Sequence, residues 1–420
     1  MTASSPSPRV IIVATNASTV AGGEAIIPWH YFRLLRRRGV DVHLVTHERN
    51  REDLRAQPEM DEERVHFVRD TAASRRIHRW GMRLPAAVKP LTVWLVMAAL
   101  STVGLRREVR RVADQAPGAV VVHEPIPVSP KYPSLMTAVG GPLVVGPLNG
   151  GMEYPPGFRA DARRSERWLR AGLRVVSGLA ARLAPGRARA GMVLVANERT
   201  RRALPRAVRR VPSEILVENG VDLDLFEPRG PRSEYAEPVR FAFVGRLVDW
   251  KRVDLALQAL ARLPQAYCLD VVGDGPEGPA LRRLGQQLGL AERVVFHGRL
   301  TQAASADVLA GCVALVLPST YECGGAVVLE AMAAALPVVA TDWGGPADYL
   351  DDGRTGVLVP PTDAEHVVAG FAAAMARLAS DPDAAREMGR AGRREIERSY
   401  DWERKVDRLQ TLYAEVAARA

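Results

Sequence analysis

The sequence predicts an α/β protein built from two doubly wound domains, and three observations carry that prediction. Short β-branched apolar runs alternate with longer helical stretches, the pattern of parallel sheets covered on both faces. The rhythm runs twice, each time over about 200 residues, enough for one doubly wound domain. Charge divides the chain at the same place: residues 1–210 carry 35 Lys+Arg against 17 Asp+Glu, and residues 211–420 carry 22 against 31. The net +9 is therefore a basic half added to an acidic half, which suits two domains with different partners. Genome-driven arginine use is the other source of such charge, since only Lys89, Lys131, Lys251 and Lys405 are lysines.

Taken in order, RVIIVAT (Arg9–Thr15) reads as a buried strand, and Gly22-Gly23 leads into a helix through Leu35. Further strands are expected at Asp41–Thr46, Glu63–Val68, Ala119–His123, Pro142–Gly146 and Met192–Ala196. The second series is Arg240–Val244, Tyr267–Val272, Arg293–His297, Ala314–Leu317 and Pro337–Thr341. The tail, Asp401–Ala418, reads as a separate amphipathic helix. Pro90–Leu105 is apolar over 16 residues, short of the roughly 20 that span a bilayer, so a core or interfacial helix is the expectation.

At 47% hydrophobic and 25% charged the composition excludes collagenous, disordered and disulfide-scaffold chains. Three cysteines without ligand spacing point to a reducing compartment, and the N-terminus lacks the pattern of a signal peptide. A cytoplasmic protein is the expectation.

The chemistry concentrates in LPSTYECGGAVVLEAMAAALPVVATDWGGPADYL (Leu317–Leu350). A strand ends, a loop carries Glu322, and Gly324-Gly325 opens a helix. Glycine lets backbone approach a ligand, and the free N–H groups of a helix start form an anion site. Glu330 stands about five residues into that helix, roughly 7–8 Å along its axis, about the span from a diphosphate to the ribose of a nucleotide. An ordinary surface glutamate is the competing reading. Against it, Glu330 falls within an apolar run, where an unpaired charge is costly.

This stretch resembles family 4 of the retaining glycosyltransferases, whose two glutamates, with seven residues between them, Glu322 and Glu330 match. The resemblance extends through FVGRLVDWKRVDLALQAL (Phe243–Leu260), VVGDGPEGPALRRL (Val271–Leu284), VVFHGRL (Val294–Leu300) and VENGVDLDLF (Val217–Phe226), covering most of residues 210–360. It implies the GT-B fold: two Rossmann-like domains facing a cleft, here 1–215 on the acceptor side and 216–398 on the donor side. The closing helix, 399–420, would pack back on the first domain. It also implies that Arg246 and Lys251 bind the donor phosphates with N–H groups at Gly324, Gly325 and Ala326. Glu330 would hold the ribose, Glu322 the sugar hydroxyls, and Arg299 and Leu300 would stand on the donor side. The chain departs from the family at Cys323-Gly324-Gly325, usually Gly-Phe-Gly, and at Arg252, usually glycine, which touches the shape of the sugar pocket.

GDGPEG also satisfies G-x-G-x-x-G through Gly273, Gly275 and Gly278. A dinucleotide fingerprint opens the first βαβ unit and is followed about 20 residues later by an acid. Here it follows a second strand and that acid is missing.

The first half carries fewer signals. Gly22-Gly23 resembles the family's glycine loop, and Val122-His123-Glu124-Pro125 resembles the His-Glu-Pro of relatives, whose His faces the reacting sugar. A lone His is more often a core residue, although the carboxyl end of a parallel strand is where ligands bind. GPLNGGMEYPP (Gly146–Pro156), with Asn149, reads equally as a ligand-lining loop or a connector. The basic stretch Arg159–Arg210 suits an anionic membrane surface, an anionic acceptor or plain solvation. Nucleic acid is disfavoured, because no helix-turn-helix, zinc or aromatic–basic motif accompanies the charge.

The expected function is transfer of a sugar, with retention, from a UDP- or GDP-sugar to an acceptor hydroxyl on a glycan, lipid carrier or small metabolite. No cofactor is expected, and no metal, since no Asp-x-Asp suited to a divalent ion occurs. A nucleotide-sugar epimerase, a silent nucleotide-sugar-binding subunit and a dehydrogenase are the alternatives.

Overall fold

The computed structural model describes residues 7–19, 23–70, 89–160, 185–228 and 238–420, with residues 89–100 described by backbone alone. It divides into two compact units, one of Met1–Gly151, Leu169–Glu218 and Glu403–Ala420, the other of Met152–Trp168 and Asn219–Trp402.

The first unit holds a parallel sheet of β1 (Arg9–Ala14), β2 (Val42–His47), β3 (Val65–Val68), β4 (Val120–Glu124), β5 (Leu143–Leu148), β6 (Met192–Val195) and β7 (Ser213–Ile215). Its order is β3-β2-β1-β4-β5-β6-β7. Val10, Ile11, Ile12 and Val13 are all at most 1% exposed, so both faces of β1 are covered. Helices α1 (Ile27–Arg37), α2 (Arg51–Arg55), α3 (Lys89–Asp114) and α4 (Glu198–Ala203) join the strands. The apolar run at Pro90–Leu105 lies inside α3, whose Leu105, Val109 and Val112 enter the core. Among the described residues no helix is long and apolar enough to cross a membrane.

The second unit holds β8 (Val239–Val244), β9 (Tyr267–Val272), β10 (Val294–Gly298), β11 (Ala314–Leu317), β12 (Val338–Thr341) and β13 (Gly356–Val359), in the order β10-β9-β8-β11-β12-β13 and parallel throughout. Its helices are α5 (Val253–Ala261), α6 (Gly278–Gln287), α7 (Gln302–Ala310), α8 (Ala326–Ala333), α9 (Gly345–Tyr349), α10 (Ala364–Ser380) and α11 (Pro382–Ser399). In both sheets the winding reverses beside the first strand, at β1/β4 and β8/β11. Such a reversal opens a crevice at the carboxyl ends of the two strands, where doubly wound sheets bind ligands.

The last helix, α12 (Trp402–Ala418), belongs from Glu403 onward to the first unit. Val406, Leu409, Leu412, Tyr413 and Val416 recur at helical spacing, each at most 2% exposed, and burying one such side chain contributes about 1.5–3 kcal/mol. Arg408 adds a two-pronged ion pair to Glu214 of β7 at 2.6 and 2.7 Å.

Within the expected run of 1–215, Met152–Trp168 groups with the second unit. Trp343 Nε1 donates to the Glu153 carbonyl at 2.8 Å, and the Gly157 backbone lies so close to Thr362 that a Cβ there would fall 1.6 Å from its carbonyl oxygen. The loop sequence Gly146–Pro156 therefore splits. Asn149, considered as ligand-lining, is buried and donates to Glu218 at 2.5 Å inside the first unit. Glu218 in turn faces buried Lys405, whose ammonium is brought down to about 7 by burial against the opposing pull of that carboxylate.

Candidate active site

In the second unit, the loops that carry Lys251 and Glu322 meet at the β8/β11 crevice. Directly after β8 the loop turns at Gly245–Lys251, and after β11 the chain runs through Ser319–Gly325. Thr320 N donates to the Trp250 carbonyl at 2.9 Å, tying the two loops together. Lys251 Nζ and Glu322 Oε2 are in direct contact, with side chains 13% and 14% exposed. Arg246 is exposed, and among the described residues no hydrogen bond or ion pair engages its guanidinium.

Gly325 caps α8 in the left-handed conformation (φ 75°, ψ 56°), so the chain enters the helix without a side-chain cap. Val328 N already donates to the Gly325 carbonyl at 2.9 Å, so the N–H groups of Ala326 and Val327 are the ones that can receive an anion at the positive end of the helix dipole. The loop is held from the other side by the Gly344-Gly345 backbone. Gly345 N donates to the Glu322 carbonyl at 2.8 Å. A Cβ on Gly344 would stand 2.3 Å from the same oxygen, and one on Gly345 2.1 Å from the Gly324 carbonyl.

Glu330 lies one turn along α8, about 6 Å from Ala326 by helical rise. It is half-buried, and Gln302 Nε2 donates to its Oε1 at 3.0 Å. Burial pushes its carboxyl above the ordinary value, with the Gln302 hydrogen bond pulling the other way. Gln302 opens α7, so the β10–α7 turn carrying Arg299 and Leu300 comes to the same end of the site. Sequence reasoning missed Gln302. Its signal was only an amide two residues after Leu300.

Arg252, the departure from the family's glycine, has φ 50° and ψ 42°. A non-glycine residue in that region costs roughly 1–2 kcal/mol. The side chain is anchored in compensation, pairing with Asp254 Oδ2 at 3.0 Å and lying 5.0 Å from the centre of the Phe158 ring.

The G-x-G-x-x-G glycines serve packing. A Cβ on Gly273 would stand 1.9 Å from the Gly245 carbonyl oxygen, and one on Gly275 2.3 Å from that of Leu247. The loop after β9 is thus pressed against the Arg246 loop, and its backbone faces protein. Two Asp-x-Asp pairs, at 222/224 and 381/383, are also local: Asp222 accepts from Asp224 N at 3.2 Å, and Asp381 caps α11 through Ala384 N. Among the described residues no group of three or more His, Cys, Asp or Glu is placed to hold a metal ion.

In the first unit, Gly22 lies outside the described residues, and Gly23 (φ 59°) begins the turn into α1. His123 is placed in the core. It is 0% exposed, Nε2 is 2.6 Å from the Gly146 carbonyl, Nδ1 is 2.6 Å from the Tyr413 hydroxyl, and the ring stacks on Tyr31. The carbonyl requires a proton on Nε2, so Nδ1 accepts from Tyr413 and both nitrogens are occupied by protein. Burial brings its pKa down to about 4. Of the basic stretch Arg159–Arg210, residues 161–184 lie outside the described residues, and Arg187 is turned inward onto the Ser129 and Pro127 carbonyls.

A separate groove of about 830 Å³ between α10 and α11 is lined by Arg377, Leu378, Met388, Arg394 and Glu395 among others. It stands away from the strand ends. Arg394 is paired with Glu387 and Arg398 with Glu395, so its charges mostly satisfy one another.

The fold and crevice define a class. The chain superposes on a sucrose-phosphate synthase from Thermosynechococcus elongatus with a TM-score of 0.69 at 20% identity, covering 98% of this chain and all of that one. It also superposes on Anabaena HepE in complex with UDP, with a TM-score of 0.65 at 16% identity, over 97% of this chain and 100% of that one. The fold is GT-B. Residues 228–395 match the family described as glycosyl transferases group 1. The chain is 35% identical over 221 residues to an alpha-maltose-1-phosphate synthase of Mycolicibacterium smegmatis, 48% of this chain and 57% of that protein. It spans about half the length of the curated relatives it matches.

Proposed function

We propose that the chain transfers a sugar from a nucleoside diphosphate sugar to an acceptor hydroxyl, with retention at the anomeric carbon. The observation that carries this reading is the meeting of Lys251, Glu322 and the open start of α8 at the β8/β11 crevice, with Glu330 one turn further on.

The chemistry follows from charge. When the glycosidic bond to the diphosphate breaks, negative charge grows on the leaving phosphate. Groups aimed at that charge before it develops stabilise the transition state most. Lys251, Arg246 and the N–H groups at the start of α8 are such groups. The Lys251 ammonium faces Glu322. A diphosphate would take over that ammonium and leave Glu322 as an acceptor for sugar hydroxyls. Glu330 would accept from the ribose hydroxyls. His123, with both nitrogens engaged, keeps the first unit in shape and has no assigned part in the chemistry.

A UDP-bound structural neighbour supports UDP-sugars as the first probes. A thermal-shift panel of UDP- and GDP-sugars tests binding, because a ligand of the native state raises its melting temperature. Donor hydrolysis or transfer by the pure chain then separates an enzyme from a silent binding subunit, and the anomeric configuration of the product tests retention. Arg246→Ala and Lys251→Ala should each lower kcat/KM at least tenfold, as loss of one charge-stabilising donor does. Near-wild-type turnover and donor affinity in either variant would sink the assignment of that residue.

A further inference from the structure

The segment Met152–Phe158 lies outside the family match at 228–395 and nothing so far gives it a part in the chemistry. It is carried by the first half of the sequence and built into the second unit. Its contacts gather on the crevice loops. The Tyr154 ring, 6% exposed, meets the ring of Tyr321 at 5.1 Å between centroids, and Tyr321 immediately precedes Glu322. Met152 packs on Gly344, where a Cβ would stand 2.7 Å from its sulfur and 2.3 Å from the Glu322 carbonyl. The Glu153 carbonyl accepts from Trp343 Nε1 at 2.8 Å. Phe158 lies under the Arg252 guanidinium, one residue after Lys251.

These contacts share one end of the site, the end of Lys251 and Glu322. Resting on the functional reading above, we propose that Met152–Phe158 forms the wall of the donor site beside the sugar, and that Tyr154 is a positioning residue for donor-sugar selection. It acts through Tyr321, whose ring it confines, on the backbone that aims Glu322. Hexose donors that share a nucleotide differ in the direction of a single hydroxyl. A carboxylate held in one place distinguishes them by a hydrogen bond made or lost, whereas a pocket with loosened polar groups discriminates weakly. Tyr321 has a single bond's reach from Glu322 along the chain, so freedom of its ring is passed to the glutamate's backbone. The shared packing of Met152 and the Glu322 carbonyl on Gly344 couples the same segment to the loop a second time.

The test uses the full chain and donor hydrolysis, with water as acceptor, on UDP-glucose, UDP-galactose, UDP-N-acetylglucosamine and GDP-mannose. Tyr154→Ala should lower the ratio of kcat/KM between the best and second-best donor about tenfold, while the Kd for the matching nucleoside diphosphate stays within about twofold. Tyr154→Phe keeps the ring and should keep the wild-type ratio. Trp343→Phe, which removes the bond to Glu153 and shrinks the ring, should move the ratio the same way by less and covers the case of an unfolded alanine variant. An unchanged ratio in folded variants overturns the proposal. So does a loss in which nucleoside diphosphate affinity falls with the ratio, since that is general damage to the site. Wild-type protein that no donor stabilises overturns the functional reading, and this proposal with it, which distinguishes the two failures.

Discussion

Acid should unfold the first unit through His123, and the size of the effect can be worked from its surroundings. The ring is wholly buried, its Nε2–H donates to Gly146, and Nδ1 accepts from Tyr413. A proton added there places a positive charge in the core with no carboxylate bonded to it. With the folded pKa near 4 and the ordinary value 6.5, the neutral ring contributes its stability fully above pH 6.5. That contribution is lost as pH falls from 6.5 toward 4, at about 1.4 kcal/mol per pH unit, and amounts to roughly 3 kcal/mol across the window. His43, also brought down to about 4, and His66, lowered by burial, act in the same window with the same sign. The informative quantity is therefore the difference from His123→Gln, whose amide can make both bonds but cannot take the proton. Urea unfolding, read by hydrogen exchange of peptides from β4 and α12, assigns the transition to this unit. The variant should be the less stable protein at pH 7, and its deficit should shrink by about 2 kcal/mol between pH 7 and pH 5. A deficit that is equal at both pH values would refute the reasoning and would restore a solvent-facing histidine.

Three further outcomes follow from particular side chains. Arg252→Ala keeps the left-handed backbone and loses the Asp254 and Phe158 anchors, so it should cost about 1 kcal/mol more than Arg252→Gly, which relieves the backbone; thermal melts of the two variants compare them directly. Ala335, just past α8, has φ 55°, and Ala335→Gly should stabilise the second unit by about 1 kcal/mol, or roughly 2–4 °C in melting temperature. Because the Glu330 carboxyl sits above its ordinary value, nucleoside diphosphate affinity should weaken as pH falls through that raised pKa. Glu330→Gln should bind about 10- to 100-fold more weakly and lose the pH dependence, as calorimetry at two pH values would report.

Strands were legible where the chain is apolar on both faces. Tyr267–Val272 and Ala314–Leu317 stand where the sequence puts them. Ser213–Ile215 and Gly356–Val359 escaped because each is a sheet-edge strand paired on one side, SEI largely polar and GVLV only partly buried. The donor loops were legible because each carries its charged residue beside a strand end, and the sheet order then brings them together. The place of His123 was not, because its partner Tyr413 lies 290 residues away on a helix that reads only as amphipathic. Tyr154 was obscured for a related reason. Gly146–Pro156 is continuous in sequence, but Asn149 and Tyr154 join different units, and no change of composition marks Gly151 as the place where they part.

The arrangement of α12 bears on the order in which the chain can mature during synthesis. The first unit starts at the first strand, yet the helix that covers His123 and supplies Lys405 to Glu218 is made after every strand of the second unit. Until Glu403–Ala420 has emerged, the nascent first unit carries an open apolar seam and a histidine with one nitrogen unpaired. The second unit, by contrast, has its whole sheet in hand by Val359. Ribosome-bound chains halted after residue 400 should therefore resist protease across β8–β13 and remain sensitive around β4 and β5.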